Sequence, residues 1–417
     1  MKYTYVFFIA LISAVLLWTN IKLYTPRLSP EEEQEDIVLQ LNFLEKKLKE
    51  DDLGKNMQSI FPEGYVFIYA LYGLTWAELA ANELNQAAEL QLRAVNEALY
   101  AYQSVDSGTG QGVFQKSLSP EYGIYYSGWR NYLLAKLLSI PGDHKEITRY
   151  KSLFKRRCDE IAQAFRKHKS PYLSSYSDQS WPADSFLAIA SLAIHDQLFG
   201  PVYKNDIADW LQKVKQRLDS DTNMLAHKTH PESGSVLETP RGGSMALMLR
   251  LLAEIDTELA RSQYALFKQH FVSTALGLPM VREYPKGSFG LGDIDSGPVI
   301  LGTGFAGTIV SIGTFKVFGE AERAHRQYST VTAFGLARTD EVAKSYLLGM
   351  LPMADAFIAW SRTAPTLIDS EEPDNSGSLW RFSFHLKSLL ILILLFALYY
   401  RKALITRFKS KFENQKT

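Results

Sequence analysis

The stretch Gly292-Asp293-Ile294-Asp295-Ser296-Gly297-Pro298 sets two carboxylates one residue apart, with glycine on either side. A carboxyl group acts as acid or base when its surroundings tune its pKa. Helix capping, with Pro298 at the first helical position, accounts for one acidic residue but not for two. Asp293 and Asp295 are therefore the first catalytic candidates, as one group at the mouth of a helix. Similar polar clusters recur along the chain. DQSWPADS supplies Asp178, Trp181 and Asp184, and EYGIYYSGWR supplies Tyr125, Tyr126, Trp129 and Arg130. HKTHPESGSVLETPRGGS supplies His227, His230, Glu238 and Arg241; VREYPKG supplies Arg282, Glu283 and Tyr284; FPEGY supplies Glu63 and Tyr65. Carboxylates and an arginine among aromatic rings suit a sugar-like ligand, because rings stack on sugar faces and acids act at the glycosidic oxygen. Asp184 and Glu238, with Asp178, are the expected carboxylate partners of the Asp293/Asp295 pair. The remaining polar and aromatic residues are expected to bind substrate.

Other chemistries fit less well. Gly302, Gly304 and Gly307 spell G-x-G-x-x-G, but a dinucleotide site needs a βαβ unit around those glycines, and no alternating strand pattern surrounds them. The glycines read instead as positions where crowded helices approach closely, and no dinucleotide is expected. His227-x-x-His230 with Glu232 could offer metal ligands, yet there is no H-E-x-x-H, and neither metal nor cofactor is expected. No G-x-S-x-G elbow and no P-loop occurs. The single cysteine, Cys158, excludes an internal disulfide and cysteine-rich zinc sites; on an outer helix it is expected to be inert.

Charge is unevenly spread along the 417 residues, although the formal net charge is zero. The last 17 residues carry six Lys/Arg and one Glu, and the first 24 carry Lys2 and Lys22, which leaves the body at −7. Nucleic-acid binding is driven by clustered basic charge, so no nucleic-acid partner is expected. Residues 3–18 contain no charge and end without the small-residue pattern of signal-peptide cleavage, which favours a retained anchor. Residues 388–400 are strongly apolar and are followed by Arg401, Lys402, Arg407, Lys409 and Lys411. Basic residues beside a span stay in the cytoplasm. Two spans then put both termini inside and residues from about 25 to 380 in the periplasm or outside the cell. The acidic run at 31–36 reads as a solvated linker start. Residues 296–315 are uncharged but hold five glycines, and they read as a buried helix rather than a third span.

The elements that must position the candidates are helical hairpins. Nearly all-apolar helices start at about 64, 127, 182, 241, 296 and 346, mostly followed by an amphipathic partner. An all-apolar helix is buried and an amphipathic one covers it; a fixed period indicates a repeat architecture. Over residues 60–365 the chain resembles the (α/α)6-toroid enzymes, which include six-hairpin glycosidases, polysaccharide lyases and the linalool dehydratase/isomerase group. The resemblance implies an all-α (α/α)6 toroid, flanked by one transmembrane helix at each end, with its site at the shared N-terminal end of the inner helices. The expected layout is an N-terminal anchor (1–24), a linker and leading helix (25–59), the toroid (60–365), a linker (366–381), a C-terminal transmembrane helix (382–401) and a basic cytoplasmic tail (402–417). The leading functional expectation is a membrane-anchored enzyme acting on a carbohydrate or cell-envelope glycan. A cleft lined by apolar groups around one acid would instead suit a lyase or isomerase of an isoprenoid or lipid-like alcohol. A non-catalytic envelope scaffold predicts polar residues that scatter, each serving its own cap.

Overall fold

The structure, a computed structural model, describes residues 2–82, 88–293, 296–370 and 379–413. Among these the chain is mostly helical, with a few short strands. It begins with α1 (Lys2–Lys22), α2 (Pro30–Glu50) and α3 (Leu53–Ile60). Next come α4 (Gly64–Ala81), α5 (Ala88–Val105), the single turn α6 (Gly108–Gln111), α7 (Gly123–Leu138), the single turn α8 (Lys145–Thr148) and α9 (Lys151–Lys167). Then follow α10 (Pro182–Phe199), α11 (Lys204–Lys215), strands β1 (Lys228–Thr229) and β2 (Val236–Glu238), α12 (Gly242–Ile255) and α13 (Thr257–His270). Strands β3 (Val272–Ala275) and β4 (Leu278–Val281) precede α14 (Phe305–Val317) and α15 (Ala321–Phe334). Strands β5 (Arg338–Thr339) and β6 (Lys344–Ser345), α16 (Pro352–Arg362) and α17 (Trp380–Glu413) complete the order. The strands form antiparallel two-stranded ribbons β1–β2, β3–β4 and β5–β6.

Six apolar helices among the described residues contact one another in a closed order. Helix α4 packs on α7, α7 on α10, α10 on α12, α12 on α14, α14 on α16, and α16 returns to α4. They run in one direction. A Cβ on Gly128, early in α7, would lie 2.8 Å from the carbonyl of Asp184, early in α10; one on Gly307, early in α14, would lie 3.0 Å from the backbone of Gly242 and Gly243. Helices α5, α9, α11, α13 and α15 cover the ring with amphipathic faces. The sixth cover is α2, which packs on α16 and α4, so the start of the chain supplies what the last hairpin lacks. The acidic run at 31–36 is thus the first turns of a helix and not a linker. Ser29 and Glu32 form a capping box with Pro30 at its first position, and Glu33 and Asp36 reach Lys316, Lys344 and Arg362.

Three inner helices start later or earlier than the hydrophobic pattern suggests. The segment 296–304 is not helical: Thr303 bridges both Ile300 and Arg282, and the Gly304 N–H donates to Val281 O (2.9 Å). Gly302 (φ +80°) makes the turn that this ribbon needs, so α14 begins only at Phe305. Helix α16 begins at Pro352 because Leu347 and Leu348 hold positive φ. Helix α7 begins at Gly123, four residues before the expected start.

The ring interior is filled. Trp129 of α7 and Trp360 of α16 approach to 6.3 Å across α4, with Phe67 4.9 Å from Trp129 and 5.1 Å from Phe357. Deeper, Arg250 of α12 donates two hydrogen bonds to Glu78 of α4 (2.7 and 2.6 Å) and lies 3.7 Å over the Trp360 ring. Helices α4 and α12 stand opposite each other in the ring, so this buried pair closes the lumen at the C-terminal end. Tyr132 of α7 adds a bond to Glu254 of α12 (3.2 Å) at the same level.

Asp355, in the first turn of α16, is fully buried. Its Oδ1 accepts the Tyr346 N–H (2.8 Å) and lies 3.4 Å from Gln40 Nε2, while Oδ2 has no hydrogen-bond partner. Burial pushes its carboxyl up to about 7, against the Tyr346 bond. A carboxyl raised above its unfolded value (~3.9) stabilises least once it must ionise, so stability declines from about pH 4 through pH 7. Asp355→Asn removes that decline. We expect a gain of up to about 4 kcal/mol at pH 8 and little change at pH 4, read by thermal unfolding at both pH values; a variant equally stable or weaker at pH 8 contradicts this.

Among the described residues one helix, Trp380–Arg401 within α17, is long and apolar enough to cross a membrane, and the apolar part of α1, Val6–Lys22, is shorter. The two are joined where they meet the body. Tyr24 Oη lies 2.9 Å from His385 Nε2, and Arg381 Nε donates to Leu23 O (3.0 Å).

Candidate functional site

Arg241 is the hub at the end where the inner helices start. It is the N-cap of α12, is 5% exposed, and reaches three loops. Its Nε donates to Glu283 Oε1 (2.7 Å), just beyond β4, and its Nη1 donates to Asp293 Oδ2. Glu238, at the end of β2, has Oε2 4.0 Å from Nη1 and 3.9 Å from His227 Nε2. The Tyr284 ring lies 5.4 Å from the guanidinium, and a buried Nη2 has no hydrogen-bond partner.

The tautomer of His227 follows from this geometry. Arginine only donates, so His227 Nε2, 3.4 Å from Nη1, is the acceptor. The proton is then on Nδ1, which faces Ser244 Oγ at 3.0 Å, while that hydroxyl donates to Arg241 O (3.1 Å). Burial, and next the Arg241 charge, push His227 down to about 4, so the ring is neutral at pH 7. Burial opposes it, yet the bonds from Arg241 and the Ser296 N–H hold Asp293 down to about 2. Despite burial, Asp293 and Glu283 hold Arg241 above its ordinary value. Asp293 and Ser296 bond reciprocally: Ser296 N–H to Oδ1 (3.0 Å) and Asp293 N–H to Ser296 Oγ (2.9 Å). This has the form of a helix cap but closes a loop, since α14 starts at Phe305. Asp295 lies outside the described residues.

The glycines have local steric roles. A Cβ on Gly304 would fall 2.4 Å from Glu283 Oε2, and one on Gly302 would fall 2.8 Å from the Arg282 guanidinium. Gly307 allows α12 and α14 to touch backbone to backbone, the close approach read from the sequence.

An aromatic wall adjoins the hub. Lys228 Nζ, beside His227, lies 4.9 Å from the Trp181 ring, and Thr229 N–H donates to Ser180 O (3.0 Å). Trp181 meets Tyr176 edge-on at 5.7 Å; Tyr176 stacks on Tyr125 (6.1 Å), and Tyr125 on Phe114 (5.6 Å). The wall continues through Trp129 and Phe67 into the filled lumen.

The structure thus brings Arg241, Glu283, Asp293, Glu238, His227 and Tyr284 together, with Trp181, Tyr125 and Trp129 along the wall. The remaining candidates stand apart. Asp184, in the first turn of α10, accepts from Ser175 Oγ (2.5 Å) and is buried there. Asp178 is exposed at a turn tip with φ +58°. His230 Nδ1 accepts the Glu232 N–H (3.3 Å), which turns it from His227. Tyr126 donates to Val105 O (3.1 Å), and Arg130 lies 4.7 Å over its ring and 3.4 Å from Asp106, lining a separate polar cavity of about 170 Å³ with Arg156 and Arg157. Tyr65 packs on Tyr69 (4.8 Å), over Gly54. Cys158 is buried, and burial pushes its thiol up to about 12. Sequence reasoning missed Ser244, Lys228, Tyr176 and Phe67; nothing in their local sequence distinguishes them from ordinary loop and core residues.

No family model and no curated protein matches the chain. Among the described residues no three His, Cys, Asp or Glu side chains are grouped to hold a metal ion.

Proposed function

We propose that the chain is a membrane-anchored, extracytoplasmic (α/α)6-toroid enzyme whose mouth takes a carbohydrate or cell-envelope glycan. One observation carries this reading. Arg241 gathers Glu283, Asp293 and Glu238 and a neutral histidine from separate loops at the end where the inner helices start, beside a half-buried Trp181 and the aromatic wall behind it. Two terminal spans with both termini cytoplasmic fit the basic residues that follow α17's apolar run. Ionised Asp293 suits a nucleophile or base, and half-exposed Glu238 suits its acid/base partner. Their oxygens flank one Arg241 nitrogen, too close for the ~6.5–9.5 Å of inverting glycosidases and nearer the ~5–5.5 Å of retaining ones. Hydrolysis with retained anomeric configuration is the expected outcome.

A second reading is a lyase or isomerase of an isoprenoid or lipid-like alcohol, favoured by the aromatic wall. A non-catalytic scaffold is the third. Asp293→Asn separates them. Asp293 is 43% exposed at its side chain, so the variant should fold while glycan turnover falls by roughly 10²-fold or more. The measurement is product release from a glycan panel, alongside thermal unfolding with and without ligand. Unchanged turnover removes Asp293 from catalysis.

A further inference from the structure

Both anchor helices leave the body at the mouth end of the ring. Helix α15 runs antiparallel to α14, since Arg323, early in α15, lies over Phe315, late in α14 (5.7 Å). The C-terminal end of α15 is therefore level with the start of α14. Leu23, just past α1, and Phe384 of α17 pack there with Ala333 and Leu278, and Phe384 also meets Phe334 (6.4 Å). After α1 the chain descends along α15, where Arg27 pairs with Glu322. Strand β4 links the two regions directly: Leu278 touches α17, and Glu283 is five residues on, roughly 17 Å at most.

The loops on this end present large apolar side chains to solvent. Phe289 is 83% exposed, Leu291 80%, Met350 75%, Leu301 65% and Leu348 63%. Leu301 (φ +53°) and Leu348 (φ +58°) sit at turn tips in a conformation that favours glycine. Apolar side chains exposed together in two loops at one end of the ring mark an interaction surface. What covers it is decided by α17, which brings the bilayer to the same end; side chains of this type seat in the headgroup boundary of a membrane.

We propose that residues 286–293, 296–301 and 347–351 rest in the bilayer interface, so that the mouth opens onto the membrane and draws from it an amphiphile whose polar head enters beside Arg241 while its tail stays in lipid. The choice of substrate class rests on the mouth being the binding site; the membrane seating does not.

The test uses the full chain in vesicles of phosphatidylcholine and phosphatidylglycerol. Single cysteines at positions 289, 301 and 348 carry an environment-sensitive fluorophore, and Val202→Cys, at the opposite end, is the control. Cys158 is buried and does not compete for label. Lipids bearing a headgroup nitroxide should remove most of the emission at the three rim positions and leave position 202 unchanged. Equal behaviour at all four positions overturns the proposal. A glycolipid with a photoreactive diazirine on its sugar should label peptides from 282–303; labelling confined to α1 and α17 overturns the substrate assignment. Rim quenching and labelling together with unchanged turnover in Asp293→Asn would reject the catalytic reading alone.

Discussion

Replacing Arg250 with Met is expected to destabilise the chain by about 3–5 kcal/mol, the cost of leaving one partner of a buried ion pair uncompensated. Glu78 sits 5% exposed with its two oxygens directed at Arg250. Without the guanidinium it keeps only the Thr363 hydroxyl (2.6 Å) and the Trp360 indole N–H (3.3 Å). The pair also holds opposite inner helices together, and the cation stacked on Trp360 is lost with it. The double variant Glu78→Leu/Arg250→Met should recover most of the loss, because an apolar pair of similar volume is often neutral against a buried salt bridge. Thermal unfolding of the detergent-solubilised full chain reads both; a single variant within about 1 kcal/mol of the parent, below the cost of an unpaired buried charge, removes the pair from the ring's stability.

Arg241→Met is expected to weaken both fold and site. Glu283, 2% exposed, is left buried without its cation, again at about 3–5 kcal/mol. Asp293 loses the larger of the two contacts that hold its carboxyl low, and keeps the Ser296 N–H. A carboxyl depressed below its unfolded value stabilises above that value and loses the contribution as pH falls. In the parent that loss runs from about pH 4, the ordinary value, to about 2. With its side chain 43% exposed, Asp293 contributes only about 1 kcal/mol after screening. The variant should show a smaller acid limb, and an NMR titration should move Asp293 up toward the ordinary aspartate range, with the Ser296 bonds still holding it below that range. Arg241→Lys should not rescue, because one ammonium cannot reproduce a planar fork bonded on two sides. An Asp293 carboxyl still near 2 in Arg241→Met contradicts the assignment.

The legible part of this chain was its helices. Apolar runs such as residues 64–81 must be buried on all sides, and their starts at 64, 182 and 241 lie within a residue of α4, α10 and α12. The site was legible as a set of residue types and not as a grouping. Arg241, Glu238, Glu283 and Asp293 come together because the ends of β2 and β4 and the backbone at Asp293 converge at one ring end. Asp184 and Arg130, equally good candidates by type, turn to Ser175 and Asp106 instead. A side chain's partner depends on contacts between segments far apart in sequence, which local pattern does not carry.

By itself the sequence determined what composition and period control: a mostly helical body, glycines where elements touch, and an apolar C-terminal helix followed by basic charge. Tertiary structure decided that α2 covers the last inner helix, that residues 302–304 bond to the 281–283 backbone so that α14 starts only at Phe305, and that Asp293 is a depressed, arginine-bound carboxylate. The reason is that helix formation is a local balance of burial and backbone bonding, whereas electrostatic environment and partner choice are set by which segments share a volume.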